Sequence, residues 1–421
     1  MSDSSDPEDE SLLDLLRSSL GLTKKQDGSI SPSTSVLRDA EGIASNAIDV
    51  AISCAGTVAA AKSLYASMRE REYTTAAWSA HELHPDARDE GTVRFVFAMD
   101  LLNFSFWSER SEGSRYAVRY RGRRWTGYWG LVAALRRAEE EGVPVTDPSF
   151  WYSAEGKGDG KGEGRLDDEA NGEGKVEGRS EGEGGEMQVD GEREEGEEQR
   201  NGLQREWPHL TREVMKHVFR GEGEEEMPLL DERLEVLWEA GRVLEEEFDG
   251  SVVNLIQAAG GSAGKLVNLL AHHFKCFRDE SEFEGKRVRF LKRAQIFVAD
   301  LWAAFDGTSY GAFDDIDCIT MFADYRVPQQ LHSLGCISYS PPLDYAVRSL
   351  KSIEPGSSWE CQLRGCSIWT VELIRREILK EHPDAKVNAI LIDFFLYDLA
   401  KERESAGEES IPHHRTRSIW Y

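Results

Sequence analysis

A mainly helical fold with a small β-hairpin is predicted for this chain, on three observations. From Leu229 onward, apolar residues return at helical spacing in segment after segment. Clean alternation is rare, and its clearest instance, Tyr116 to Trp125, turns on Gly122. The chain shows no strand–helix–strand repetition, no Gly-x-Gly-x-x-Gly after a strand and no Walker loop, which argues against a parallel sheet and its nucleotide sites.

The elements follow in order. Residues 1–34 are Ser- and Asp-rich with one short apolar patch, Leu12 to Leu16, and are expected to form an acidic, disordered tail. Ala44 to Met68 carries Ile48, Ala51, Ile52 and Ala55 at helical spacing and predicts one helix. The apolar run from Gly91 to Trp107 predicts helix first and extended chain later. Tyr116 to Trp125 predicts the hairpin, and Gly127 to Glu141 a helix stopped by Gly142-Val143-Pro144. Further helices are expected over Leu229–Phe248, Val252–Gln257, Ala263–Phe274, Arg287–Phe305, Ser367–Lys380 and Val387–Glu402. Trp359 to Arg364 alternates and predicts a strand or extended arm.

Residues 155–204 break this pattern. They hold 14 glycines, 17 acidic and 7 basic residues, too little apolar surface to offset the entropy of ordering them. They are expected to be a disordered insert in a surface connection of a single catalytic domain, residues 35–421, and to serve solubility.

Composition limits the function classes. The net charge of −27 over 421 residues, with no basic block outside the C-terminus, disfavours a protein that grips duplex DNA or intact RNA. A small charged substrate needs only one or two local cations. The six cysteines form no Cys-x-x-Cys pair, so no metal site and no cofactor is expected, and the thiols predict reduced core residues. The acidic N-terminus has no signal-peptide pattern, and no apolar run reaches membrane-spanning length. The expected compartment is the cytoplasm, with the nucleus second, and no obligate protein partner is indicated.

Asp324 is the first candidate for chemistry. It sits in Thr320-Met321-Phe322-Ala323-Asp324-Tyr325-Arg326-Val327-Pro328-Gln329, a carboxylate among apolar and aromatic neighbours with Arg326 as its nearest cation. A desolvated carboxylate can stabilise developing positive charge or aim a water. A helix N-cap, or a surface partner for Arg326, is the plain structural alternative. Lys292 lies among other bases and reads either as a solvated helix start or as a cation for a phosphate or transition state.

Asp100 and Asn103, followed by Phe104, Phe106 and Trp107, suit a base pocket, with aromatic faces for stacking and polar groups for the edge; core packing is the alternative for the aromatics. Glu360 and Arg364 read as a structural pair. The tail from Ile411 to Tyr421 is basic and aromatic, fit to close over an anion through Arg415 or to dock as a last strand.

Two resemblances emerge from these residues. Lys292-Arg293-Ala294, and Asp324 with Leu331 and Leu334-Gly335 downstream, resemble the lysine and aspartate helix starts of helix-hairpin-helix DNA glycosylases. More specifically, the chain resembles the queuosine salvage protein family. The resemblance rests on Asn103–Trp107, Val118–Gly122, Gly127–Trp129, Phe283–Val288, Lys292–Gln295, Thr320–Gln329, Arg364–Ser367 and Ile411–Tyr421. It covers the chain from about Val36 to the end, and the tail and insert fall outside or between its segments.

It implies a helical, DNA-glycosylase-like fold and hydrolysis of the N-glycosidic bond of queuosine 5′-monophosphate, releasing queuine for reuse in tRNA. By that resemblance Asp324 and Lys292 are catalytic. The substrate contacts expected are Asp100, Asn103, Phe104, Phe106, Trp107, Tyr325, Arg326 and Arg415. Three other readings stay open: a DNA-repair glycosylase on the same scaffold, a hydrolase of ordinary nucleosides, and a non-enzymatic interaction protein.

Overall fold

A computed structural model describes residues 30–152, 207–408 and 410–421. The expected insert at 155–204 lies outside the described residues, as does most of the expected tail. Residues 30–34 are placed: Asn268 donates to the carbonyls of Ser31 and Ser33, at 2.7 and 3.0 Å, and Thr34 is buried.

Among the described residues the architecture is mainly helical with three separate two-stranded antiparallel sheets. The first part holds α1 (Val36–Asn46), β1 (Val50–Ile52), α2 (Cys54–Glu70), α3 (Ala76–Ser79) and α4 (Glu90–Leu101). The hairpin β2 (Val118–Tyr120) and β3 (Arg123–Trp125) leads into α5 (Gly127–Glu140) and α6 (Pro148–Trp151). After the insert come α7 (Arg212–Val218), α8 (Leu230–Phe248), α9 (Val252–Ala258) and α10 (Ala263–His273). A second hairpin, β4 (Glu280–Phe283) and β5 (Lys286–Arg289), precedes α11 (Lys292–Ala304). The chain then forms α12 (Arg326–Ser333), β6 (Ile337–Tyr339), α13 (Pro341–Arg348), α14 (Ser358–Glu381) and α15 (Ala389–Ser405). Apolar side chains from α1 through α15 join in one buried cluster.

Local rules explain most boundaries. Asp89, Thr211, Ser251, Ser262, Ser357 and Asn388 each cap a helix by accepting a backbone N–H two or three residues into the turn. Both hairpins turn on two residues with positive φ, Arg121-Gly122 and Glu284-Gly285, the backbone that matches the twist of paired strands.

Three expectations are corrected. The helix expected over Ala44–Met68 is split by β1, which pairs antiparallel with β6, Val50 opposite Tyr339 and Ile52 opposite Ile337. A partner nearly three hundred residues away leaves no local trace. Likewise, the helix expected from Arg287 begins only at Lys292, because Lys286 to Arg289 is the second strand of a hairpin. Finally, Trp359 to Arg364 is not extended but opens the 24-residue α14. Its polar residues alternate in sequence, yet Glu360, Gln362 and Arg364 are all buried, so alternation there did not mark a solvent face.

α14 is the internal spine and packs against α1 and α2. Gly365 permits this: a Cβ there would sit 2.6 Å from the Ile43 side chain of α1. Among the six free thiols, Cys54 and Cys318 are exposed, whereas Cys276, Cys336, Cys361 and Cys366 are core residues as expected.

Candidate active site

A cavity of about 280 Å³ opens where α3, α5, α11, α15, the arm after α4 and the C-terminal segment converge. Two helices line it with residues one turn apart. Lys292, Ile296 and Asp300 form one face of α11, and Asp393, Tyr397 and Lys401 one face of α15. An i, i+4, i+8 spacing stacks side chains along a single stripe.

Asp324 stands at the start of α12. Its Oδ1 accepts the N–H groups of Arg326 (2.8 Å) and Val327 (2.9 Å), so it caps the helix while its other oxygen stays uncommitted. Burial raises its pKa above the usual carboxylate value, against the pull of Lys292 and of those two N–H groups. Lys292 starts α11, whose first N–H is held by Asp279 Oδ2 at 3.0 Å. Burial depresses the Lys292 ammonium to about 8, with the Asp324 charge acting the other way. Each group therefore supports the charged form of the other.

The expected pairing of Asp324 with the Arg326 guanidinium is corrected. Only the Arg326 backbone bonds to Asp324; its guanidinium reaches Glu404 (3.5 Å) and Gln329 (3.3 Å).

Behind Lys292 lies a buried ionic network. Arg364 donates to Asp279 at 2.5 and 2.8 Å and to Glu360 at 3.2 Å, with its guanidinium 4.1 Å from the Phe290 ring. It fixes the start of α11 and confirms Glu360 and Arg364 as a structural pair, here one helical turn apart.

Three more carboxyls lie on or behind the wall. Asp393 Oδ2 accepts from Phe322 N–H at 3.0 Å, and burial and then the Asp324 charge push its pKa well up. Asp300 lines the cavity with its pKa pushed up to about 8 by burial. Asp100 is fully buried, away from the cavity surface; burial and then Asp300 raise its pKa strongly. Its Oδ1 takes a long bond from Asn103 (3.4 Å), and Oδ2 has no partner. Two buried carboxyls this close cannot both ionise cheaply, so Asp100 and Asp300 hold protons to higher pH as a pair.

An aromatic and imidazole wall faces them. His81 stacks on Trp129 at 3.3 Å and His84 on Trp78 at 3.8 Å. His84 Nδ1 faces the Trp78 carbonyl at 2.8 Å, which places the proton on Nδ1 and leaves Nε2 to accept from the Tyr128 hydroxyl, also at 2.8 Å. Burial lowers the His84 pKa to about 3, so the ring is neutral.

Of the expected site residues, Asp324, Lys292, Asn103, Phe106, Trp107, Tyr325 and Arg326 line this cavity. Asp100, Phe104 and Arg415 do not. Phe104 is fully buried, 4.2 Å from the Arg233 guanidinium and 4.9 Å from that of Arg293; it packs the arm after α4 from behind. Arg415 lies 5.4 Å from the Trp107 ring, outside the cavity, and its carbonyl accepts from Ile353 N–H at 2.7 Å.

The C-terminal segment docks through one isolated bridge, Ser352 to Arg415, rather than a strand. Trp107 Nε1 donates to the Thr416 carbonyl at 2.8 Å, and the Tyr421 ring lies parallel to Tyr325 at 6.4 Å. Tyr421 and His413 reach the cavity, which sequence reading did not assign to them. Trp78, His81, His84, Asp300, Asp393 and Lys401 were also missed. The four-residue spacing on α11 and α15 was the one signal that could have found some of them.

Comparison with known proteins adds a family. The family model described as queuosine salvage protein matches residues 83–160 and 196–421. A Schizosaccharomyces pombe protein named queuosine 5′-phosphate N-glycosylase/hydrolase is 37% identical over 402 residues, 92% of this chain and 99% of its own length. Proteins of the same name are 36% identical in Mus musculus, over 93% and 99% of the two chains, and 36% identical in Sphaerobacter thermophilus, over 83% and 88%.

Proposed function

This chain belongs to the queuosine salvage protein family, and from that premise we propose that it hydrolyses the N-glycosidic bond of queuosine 5′-monophosphate, releasing queuine for salvage into tRNA. The observation that carries the chemistry is Asp324, held on two backbone N–H groups in the cavity with Lys292 as its electrostatic partner.

Cleavage passes through a sugar bearing positive charge at C1′. A fixed, partly desolvated carboxylate stabilises that charge more than it stabilises the neutral ground state. Asp324 also orients a water and takes its proton as the new C1′–O bond forms. The electron pair of the broken bond leaves with the base, which acquires a proton, and ribose 5-phosphate is the other product. Lys292 keeps Asp324 ionised despite its burial.

Phe106, Trp107 and Tyr325 supply flat surfaces for the deazapurine, and Asn103 can reach its edge. The secondary ammonium of queuine can pair with Asp300, whose carboxyl a bound cation would draw into its charged form, with Asp100 behind it rather than in contact. A lysine opening one helix and an aspartate capping a later one is the arrangement of helix-hairpin-helix DNA glycosylases, and we read the fold in that way. The substrate is a free nucleotide rather than intact nucleic acid, acted on in the cytoplasm without an obligate protein partner. Among the described residues no helix is long and apolar enough to cross a membrane. The relatives' names do not favour a DNA-repair or interaction-only role.

The test is release of free queuine from queuosine 5′-monophosphate by the purified full chain, with Asp324→Asn and guanosine 5′-monophosphate as controls. Release by the wild type alone, with the guanosine nucleotide untouched, supports the reading. Equal cleavage of both nucleotides would replace it with a general nucleotide hydrolase.

A further inference from the structure

The arm after α4 brings Asn103, Phe106 and Trp107 to the cavity without forming a helix or strand. At its centre Ser105 has φ 49°, a left-handed backbone that a serine holds only under constraint. Much of the constraint comes from two fully buried arginines, Arg233 of α8 and Arg293 of α11. Arg233 donates from Nη1 to the Leu102 carbonyl, from Nη2 to that of Phe104, and from Nε to that of Pro228 at 3.0 Å. Arg293 donates from Nη1 to the carbonyls of Leu101 and, at 3.4 Å, Asp100, and from Nη2 to that of Cys276. Both guanidiniums lie against the Phe104 ring, at 4.2 and 4.9 Å. Burial lowers the pKa of each, and the charge of Arg293 adds to this at Arg233. Two like charges so placed are costly in a core. What offsets the cost is the end of α4, whose last carbonyls have no partner within the helix and carry the negative end of its dipole. A helix end is commonly closed by a left-handed glycine. Here two cations close it, and one of them reaches beyond it into the arm.

Resting on the glycosidic-cleavage reading above, we propose that Arg233 and Arg293 are positioning residues for the base half of the substrate: they lock the arm so that Phe106 and Trp107 present their faces to the deazapurine. Neither arginine lines the cavity, so neither touches the substrate. Phe104, clamped by both, and Phe106, in the cavity wall, are separated only by Ser105, so the turn at Ser105 is fixed from its core side. From the other side the Ser105 hydroxyl donates to the Ser418 carbonyl at 2.9 Å. Arg293 follows Lys292 at the start of α11. The helix start that presents the lysine therefore also holds the arm, and the stacking surfaces keep their register with the catalytic pair. Lysine cannot take over this task, because one ammonium does not reproduce a planar fork that serves three carbonyls.

The test measures calorimetric binding of the two products, queuine and ribose 5-phosphate, to the full chain, together with kcat/KM for queuosine 5′-monophosphate. The variants are Arg233→Lys, Arg293→Lys and Phe104→Leu. Losing a well-placed aromatic face costs a base roughly five- to a hundredfold in affinity. Each variant is expected to lose queuine affinity and kcat/KM by a factor in that range, while ribose 5-phosphate binds within about twofold of wild type. A role confined to stability would lower both affinities alike, through the folded fraction. Equal losses for the two ligands, or no loss for either, overturn the assignment. Should circular dichroism show the lysine variants unfolded, Phe104→Leu decides, because it loosens the ring that both guanidiniums hold and keeps both cations in place.

The same measurements separate this proposal from the cleavage reading. If the wild type releases no queuine yet binds it, and the variants lose that binding alone, the cleavage reading fails and the positioning role stands. If the wild type cleaves the nucleotide and the variants lose neither affinity, or both equally, the positioning role fails alone.

Discussion

Asp324 caps α12 and in the proposed mechanism also carries the catalytic charge, and the two roles can be separated experimentally. As a cap it needs only an oxygen acceptor; as a catalyst it needs a charge. Asparagine keeps the first and removes the second. Asp324→Asn is therefore expected to leave the thermal midpoint close to wild type while lowering kcat roughly a hundred- to a thousandfold. A large fall in the thermal midpoint would show that the charge is structural.

The pH profile belongs to the same scale. In the proposed mechanism Asp324 acts ionised and Lys292 protonated, so activity is expected to fall as pH drops through the raised Asp324 pKa, at higher pH than for an ordinary aspartate. It is expected to fall again as pH rises through about 8, where Lys292 loses its proton. A bell-shaped kcat/KM is expected, with Lys292→Met removing the alkaline limb from the activity that remains. Asp300 also loses its proton near 8; an alkaline limb that survives in Lys292→Met would assign it to the Asp300 and Asp100 pair.

At the scale of elements, α11 and α12 aim the two catalytic candidates, and α14 holds α11 in place through Arg364. Among the described residues its guanidinium is the one cation bridged to both Asp279 and Glu360, and all three are buried. Removing one partner strands the others, at a cost of about 3–5 kcal/mol. Arg364→Leu is expected to lose that much in denaturant unfolding, and to lose activity through Lys292, which it does not touch. The helices here were legible because their apolar faces are long and regular. The β4–β5 hairpin and the first turn of α14 were not. Four-residue strands give too little alternation to outvote flanking charge, and buried charged residues in α14 imitate a polar face.

At the scale of the whole molecule, the proposed chemistry assigns no role to the acidic segment 155–204. Among the described residues, those that line the cavity come from the chain on both sides of residues 155–204. Deleting residues 155–204 is expected to leave kcat/KM for the nucleotide within about twofold, since surface changes away from such features move energies by about 0.5 kcal/mol. A large loss would give the insert a role in turnover. The deletion should also lower solubility near neutral pH, because the segment supplies much of the net charge.

The sequence by itself determined the helical class, the first hairpin, the family, and the pair Lys292 and Asp324, because each is encoded in local periodicity or a short contiguous motif. Only the tertiary structure decided which side chains share the cavity. Asp300 lines the cavity while Asp100 lies behind it, Arg415 lies outside it, and Tyr421 joins Trp107 in its wall from some three hundred residues away. The physical reason is that a pocket is made by faces from distant helices. A residue's place on such a face depends on how those helices pack, and no local sequence pattern records which packed neighbour each face will meet.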